Sequence, residues 1–205
     1  MTVIPVRRMP DPVLREKTRR VPTVTRAVRS LIDDMIETMH VENGVGIAAN
    51  QIGNKLRVAY IEISEERDED GHIIQEAAKH VLINPEIIRR VGEREVDEGC
   101  LSIPGWRGTL TRSVRVTAKA LDLNGREVRI RAGGLLAQAL EHETDHLNGV
   151  VYIDRMDDSG KLFAIAPRGE EGEQPPVSTD SAPPPDADVI WRLRRPVAPV
   201  TRRRA

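Results

Sequence analysis

The stretch GGLLAQALEHETDH, residues 133–146, decides how this chain is understood. Its leucines and alanines recur at helical spacing, two glycines precede them, and Asn148-Gly149 follows as a helix C-cap would. We therefore predict one helix that carries His142 and His146 one turn apart on the same face. Two imidazoles so arranged suit a single metal ion. Glu143 follows the first of them, where a general base for a metal-activated water is needed.

The third ligand decides what kind of metal site this is, because a catalytic ion of this type usually has three protein ligands and a water. Metzincin proteases place a third histidine where this chain has Tyr152, and a thermolysin-like site would need a glutamate that falls in a proline-rich tail. The remaining candidate is Cys100, the only thiol, in the turn-like segment EGCLS (98–102). A lone cysteine is commonly a small buried hydrophobe. A site short of one ligand nevertheless favours ligation by Cys100.

The residues before the histidine helix indicate an α+β fold. Between Thr25 and His40 apolar side chains recur every three or four positions, which predicts an amphipathic helix with Thr25 as its N-cap. Asn124-Gly125 predicts a tight hairpin turn and therefore antiparallel pairing. We expect antiparallel strands packed around a central metal-binding helix, rather than a doubly wound parallel sheet. β-branched or alternating runs place strands at Arg57–Ile63, Val81–Ile83, Ile87–Val91, Val114–Leu121 and Glu127–Ile130.

Composition narrows the functional classes. The chain has 205 residues, long enough for one domain with an appendage, and its 31 basic residues nearly balance its 32 acidic ones. Such a balance gives no overall field toward nucleic acid or membrane. The first residues lack a continuous apolar run, so we expect no signal peptide, no membrane span and a cytoplasmic location. A single cysteine excludes an intrachain disulfide.

The C-terminal part differs in composition from the rest. Eight of the 14 prolines lie between Pro167 and Ala205, which predicts a catalytic domain at 1–166 and a disordered tail at 167–205. Charges in this tail are segregated, with six acids in 169–188 and six arginines in 189–205. The tail is either dispensable or a ribosome contact through its basic end.

Three segments together resemble the signature motifs of the peptide deformylase family: GVGIAANQ (44–51), EGCLS (98–102) and HETDH (142–146). The similarity runs from about Asp11 to about Phe163. It implies a hydrolase that removes the formyl group from the N-terminal formyl-methionine of newly synthesised polypeptides and releases formate. It further implies Fe²⁺ held by Cys100, His142 and His146, with Zn²⁺, Ni²⁺ or Co²⁺ as substitutes. Two residues depart from the family pattern: Thr144 replaces an apolar residue, and Glu141 stands where Gln is common.

The resemblance also implies roles for residues near the metal. The Gln51 side-chain amide and the backbone N–H of Leu101 are expected to stabilise the oxyanion, and Gly46 to contact the substrate backbone. Glu98 beside the metal cysteine would be costly if buried unpaired, and we predict Arg112 as its partner.

We expect the methionine side chain to enter an apolar pocket formed by Leu135, Ala139 and Ile47, although ordinary core packing is an open alternative for each. Two other functions are compatible with the sequence. One is a metallohydrolase acting on a different bond or N-acyl group, and the other is a ribosome or nucleic-acid adaptor. A monomer is the default expectation.

Overall fold

The computed structural model describes residues 2–157, 160–165, 187–195 and 197. The helices and strands, in chain order, are α1 (Arg26–Val41), β1 (Gly46–Ala48), β2 (Val58–Ile63), β3 (Glu66–Arg67), β4 (Ile73–Gln75), β5 (Ala78–Val91), β6 (Arg94–Cys100), β7 (Ile103–Arg112), β8 (Arg115–Leu121), β9 (Glu127–Gly133), α2 (Gly134–His146), β10 (Leu162–Ala164) and α3 (Ala187–Arg192). Within the described ranges, no helix is both long and apolar enough to cross a membrane.

A five-stranded antiparallel sheet in the order β1-β2-β5-β8-β9 lies between α1 and α2. The alternation of side chains along β2 explains this arrangement. Ala59, Ile61 and Ile63 face the cluster formed with α2, whereas Val58 and Tyr60 face the cluster formed with α1. The metal-binding helix predicted from the sequence is therefore packed against one face of the sheet, with its inner surface buried.

A second sheet, in the order β10-β7-β6, places Cys100 beside the metal-binding helix α2. Cys100 is the last residue of β6, and a two-residue turn, Leu101-Ser102, leads into β7. The turn is held to the first part of the chain, because the Met9 N–H donates to the Ser102 carbonyl at 2.9 Å. The segment predicted to be turn-like is thus the tip of a hairpin.

The predicted α+β class, the two helices and the antiparallel pairing are confirmed. Thr25 caps α1, and its side chain accepts from the Val28 N–H. The predicted strands at 81–83 and 87–91 are parts of one strand, β5, whose register shifts twice along its pairing with β8. Asn84 lies between them with a φ of +56°, which strand residues do not adopt. Both ends of its side-chain amide bond to the Val21 backbone.

The hairpin between β8 and β9 is present, but the prediction of a positive φ at Asn124 as well as Gly125 is wrong. Only Gly125 has a positive φ, of 74°, and Asn124 does not. One carboxylate oxygen of Asp122 accepts from the backbone N–H groups of Asn124 and Arg126, at 2.8 and 2.9 Å. This side-chain bridge stabilises a wider loop than the two-residue turn that Asn-Gly favours.

The tail prediction falls largely on residues outside the described ranges, and the division at 166/167 remains a prediction. The described part, 187–195, departs from it. α3 lies against the body with Ile190 only 2% exposed, within the cluster that includes Trp106 and Tyr152. Asp154 holds the segment in place, since its carboxylate accepts from the Arg195 N–H at 2.6 Å. Two adjacent apolar residues, Ile190 and Trp191, give this short stretch a face to bury although its neighbours are polar.

Candidate metal centre and active site

The three predicted ligands meet at one point. One ligand atom from each of Cys100, His142 and His146 lies within 4.8 Å of the others. The two imidazole rings of α2 stand 4.9 Å apart between centroids, and Sγ of Cys100 lies 3.1 Å from Nε2 of His146. Helical spacing provides the two imidazoles, and the end of β6 provides the sulfur. A thiolate and two imidazoles form a donor set suited to zinc, iron, cobalt or nickel.

The protonation of Cys100 is set by its surroundings. Burial raises the pKa of the thiol, but His146 and His142 beside it outweigh that effect and bring the pKa down to about 5. Cysteine binds metals as the thiolate. Burial lowers the pKa of His142, but its contacts with Cys100 and Glu98 outweigh that effect and raise the pKa well above the usual value. A divalent cation would compete directly with the proton on this imidazole. The electrostatics of the site therefore suit a cation among these three side chains.

A buried network orients the first histidine. Nδ1 of His142 lies 2.9 Å from Oε2 of Glu98, which leaves Nε2 to face the site. The predicted partner of Glu98 is confirmed: Arg112 donates to both of its carboxylate oxygens, at 2.7 and 2.9 Å. Burial raises the pKa of Glu98, but Arg112 outweighs it and the pKa falls to about 2. Glu98 is therefore a buried anion that is fully paired.

The network also reaches the second half of the HETDH motif. Arg112 donates to Asp145 at 2.6 Å, and Arg155 donates to both carboxylate oxygens of Asp145, at 3.0 and 2.5 Å. Arg112 thus ties the cysteine strand β6 to the histidine helix α2 through two carboxylates. Asp145 received no role from sequence reasoning, although its position between the two histidines was a signal that it faces another side of the helix.

Glu143 is 3% exposed, and its Oε2 has no hydrogen-bond partner among the described residues. Burial is the main cause that raises its pKa, to about 7. The space beside it depends on Gly46, because a Cβ added there would lie 2.4 Å from Oε1 of Glu143. The glycine of β1 therefore leaves room for the carboxylate. From the sequence we predicted for Gly46 only a contact with the substrate backbone.

Gln51 is buried, at 1% exposure, and its amide is aimed at the cysteine loop. Its Oε1 accepts from the Ala48 N–H at 2.8 Å, which turns Nε2 toward Sγ of Cys100 (3.6 Å) and Oγ of Ser102 (3.3 Å). Leu101 occupies the two-residue turn that follows Cys100, so its N–H lies outside the strand ladder. Both predicted oxyanion donors are consequently located beside the metal ligands. Ser102, which orients the amide, was quoted in the motif but not assigned a role.

The three predicted pocket residues do not come together. Ile47 is fully buried and packs in the cluster beneath α1. Its prediction as a pocket wall is wrong, because side chains alternate along β1: Gly46 adjoins Glu143 and Ala48 packs on the α2 side, so Ile47 points away. Ala139 is buried and Leu135 half-buried, and both pack with the core between α2 and the sheet.

The two departures from the family pattern have different surroundings. Glu141 is buried and neutralised by Arg90, which donates to it at 2.8 Å, and it also accepts from the N–H and hydroxyl of Ser113. It therefore fixes α2 to the segment between β7 and β8. Oγ1 of Thr144 is buried without a partner among the described residues, and nothing in the structure explains the hydroxyl there.

A thiolate, two imidazoles and an adjoining buried carboxylate define the class: a metal-dependent hydrolase.

Comparison with known proteins identifies the family within this class. The family model described as polypeptide deformylase matches residues 3–162. A peptide deformylase of Dehalococcoides mccartyi is 48% identical over 166 residues, which is 81% of this chain and 93% of that protein. One from Thermomicrobium roseum is 44% identical over 169 residues, 82% and 94% of the two chains.

Solved structures agree with the sequence matches. The peptide deformylase of Legionella pneumophila superposes with a TM-score of 0.67 at 39% identity, covering 77% of this chain and 88% of that one. That of Ehrlichia chaffeensis in complex with actinonin gives 0.71 at 36%, covering 77% and 91%. The chain belongs to the polypeptide deformylase family. It is an enzyme that removes the formyl group from the N-terminus of newly made polypeptides, and the family is metal-dependent.

Proposed function

We propose that Cys100, His142 and His146 hold one divalent ion and that this ion is Fe²⁺, with Zn²⁺, Ni²⁺ or Co²⁺ as substitutes. The convergence of the three donor atoms within 4.8 Å is the observation that carries the proposal. When bound, the ion lowers the pKa of water and polarises the formyl oxygen. The paired Glu98 supports the site by orienting His142 and by adding negative charge next to a cation.

Glu143 is proposed as the proton carrier of the reaction. Its Oε2 has no partner among the described residues, and the carboxylate interacts with all three predicted ligands. There it can take a proton from the attacking water and pass it to the leaving nitrogen. The C–N bond of the formamide breaks, water supplies the new C–O bond, and the products are formate and a free N-terminal amine. A single buried carboxylate serves both proton transfers.

Gln51 and Leu101 are proposed to stabilise the negative charge that develops on the formyl oxygen. Donors fixed before the reaction starts act strongly because they need no reorganisation. The Gln51 amide meets this condition, since the Ala48 N–H holds its oxygen end. The hairpin turn that follows Cys100 fixes the Leu101 N–H in the same way.

Substrate contact is proposed at Gly46, whose missing side chain allows a peptide backbone to approach β1. Leu135 and Ala139 remain candidates for the methionine pocket, because they lie seven and three residues before His142 on the helix that bears it. With Ile47 assigned to the core, these two are the sequence-predicted residues that still support a pocket.

A Glu143→Ala variant tests the catalytic assignment. We expect it to retain the wild-type metal content, because the carboxylate is not a ligand, and to release formate from a formyl-methionyl peptide roughly 10²- to 10⁴-fold more slowly, the usual contribution of a positioned proton carrier. Formate release within a few-fold of wild type would remove Glu143 from this role. A variant that also loses its metal would show that the carboxylate is needed to form the site.

We further propose a cytoplasmic monomer, in keeping with a substrate made in the cytoplasm. A ribosome contact through the basic end, Trp191–Arg204, is a second proposal, supported by the six arginines of 189–205. Co-sedimentation with ribosomes, compared between the full chain and an Arg202→Gln/Arg203→Gln/Arg204→Gln variant, tests it. Equal sedimentation of the two would leave the tail without this role.

A further inference from the structure

The face of the large sheet that α1 occupies is only partly covered. α1 packs over β1, β2 and the beginning of β5, whereas the ends of β5, β8 and β9 extend beyond it. We call this uncovered part the basic face, defined by Arg89, Arg115 and Arg131 with Thr117 among them. These side chains and the strands beneath line an open depression of about 830 Å³.

The register places the three arginines next to one another. Arg89 pairs with Thr117, and Thr117 pairs with Arg131, so these residues form one row across three strands. Arg115 lies two residues along β8 and therefore on the same face. Strand spacing puts the three Cα atoms at separations of about 8 to 10 Å.

The charges of this face are not compensated. Among the residues that the structure describes, Arg89, Arg115 and Arg131 have no ion-pair partner, and all three are exposed. The adjacent row of the same face, formed by Glu86, Lys119 and Arg129, has compensated charges. Lys119 pairs with Glu86 at 3.0 Å and Arg129 with Glu127 at 3.4 Å.

Like charges grouped on neighbouring strands are unfavourable. The chain as a whole carries a formal charge of only −1, so this grouping does not follow from an excess of basic residues. A solvated strand face would serve equally well with alternating charges, as the row of Lys119 shows.

We propose that the basic face binds the phosphate backbone of a double-stranded RNA segment. Guanidinium groups suit phosphate oxygens through paired hydrogen bonds, and the Thr117 hydroxyl lies in the same row as a further donor. The lining of the depression includes no aromatic side chain on which bases could stack, which favours a duplex backbone over single strands. The choice of RNA also rests on the proposed deformylase function, because newly made polypeptides emerge from the ribosome, which is rich in folded RNA.

Binding at this face leaves the catalytic centre open. Along β8, Arg115 and Thr117 alternate with Val116 and Ala118, and these two are buried in the cluster formed with α2. The basic face and the metal helix therefore lie on opposite sides of one sheet. RNA and formyl-peptide should bind the enzyme together.

The test measures the fluorescence anisotropy of a fluorescein-labelled 20-base-pair RNA duplex against the full chain at 50 to 200 mM salt. Three phosphate contacts predict a slope of about −2.7 for log K against log[salt]. An Arg89→Gln/Arg115→Gln/Arg131→Gln variant should bind at least about tenfold more weakly at 50 mM salt, with a slope reduced toward zero.

A Lys17→Gln/Arg20→Gln/Arg26→Gln variant is the matched control, since it removes the same charge from three exposed residues elsewhere. It should bind the duplex within about twofold of wild type. All variants should release formate from a formyl-methionyl peptide at the wild-type rate, which separates a failure of this proposal from a failure of the proposed function.

Equal duplex binding by the two triple variants would overturn the proposal. A loss confined to the Arg202→Gln/Arg203→Gln/Arg204→Gln variant would assign RNA binding to the tail instead. Displacement of the duplex by poly-glutamate at equal charge concentration would show that the face recognises acidic chains in general, and would overturn the choice of RNA.

Discussion

Replacing Gly46 by alanine tests the fit between β1 and the catalytic carboxylate. The added Cβ would lie 2.4 Å from Oε1 and 3.0 Å from Cδ of Glu143, so the carboxylate must retreat by about 1 Å to reach an ordinary contact. A misplacement of about 1 Å at a reacting group costs roughly 10²-fold in rate. We therefore expect kcat to fall about 100-fold, an increase of about 2.7 kcal/mol in the activation free energy.

The stability of the folded state should change only modestly. Gly46 does not adopt a left-handed φ, so alanine introduces no backbone strain there. The gain of about 0.4–1 kcal/mol through the unfolded state offsets part of the roughly 1–3 kcal/mol that crowding against the buried Glu143 costs. The thermal midpoint should stay within a few degrees of wild type.

The assay is formate release from a formyl-methionyl peptide, with kcat and KM determined separately. A displaced carboxylate lowers kcat, whereas loss of a substrate contact alone raises KM. Gly133→Ala is the matched control, because its Cβ would meet nothing nearer than 3.7 Å, and it should retain wild-type kinetics. A Gly46→Ala enzyme with unchanged kcat would refute the reasoning, as would one whose activity falls only in step with its stability.

The other predictions concern the buried network, the oxyanion donor and the C-terminal segment. Arg112→Met should leave Glu98 with only His142 and Asp145 with only Arg155 as partners, with a loss of about 3–5 kcal/mol in unfolding free energy by urea titration; an unchanged midpoint would contradict this. Gln51→Ala should lower kcat by about 10²- to 10³-fold at unchanged metal content, and an effect on KM alone would show a substrate contact instead. Ile190→Ala should release α3 and speed proteolytic cleavage within 187–195, because truncating a buried Ile costs roughly 2–5 kcal/mol, and unaltered cleavage would mean that the side chain does not hold the segment.

The parts of the site that follow from local spacing could be predicted from the sequence. The i, i+4 histidines lie on one helix and need no tertiary information to share a face. The pairing of Glu98 with Arg112 was also predicted, because a buried carboxylate needs a cation, although Arg94 and Arg107 lie nearer to Glu98 in the chain.

The features that were missed depend on where a side chain points after folding. Ile47 belongs to an apolar glycine-rich segment, and only the pairing of β1 with β2 shows that it faces α1. Asp145 and Arg155 are ten residues apart, and their contact depends on the turn after α2. The docking of α3 depends on a surface formed by distant strands, which composition alone cannot reveal.

The central claim is that Cys100, His142 and His146 hold the one catalytic ion, and it is tested most directly by reconstitution. Protein stripped with a chelator is titrated anaerobically with Fe²⁺, and formate release from a formyl-methionyl peptide is followed beside a Cys100→Ala variant. We predict that activity returns in proportion to added iron and saturates at one equivalent per chain, while the variant stays inactive. Full activity in the stripped protein, or equal recovery by Cys100→Ala, would contradict it.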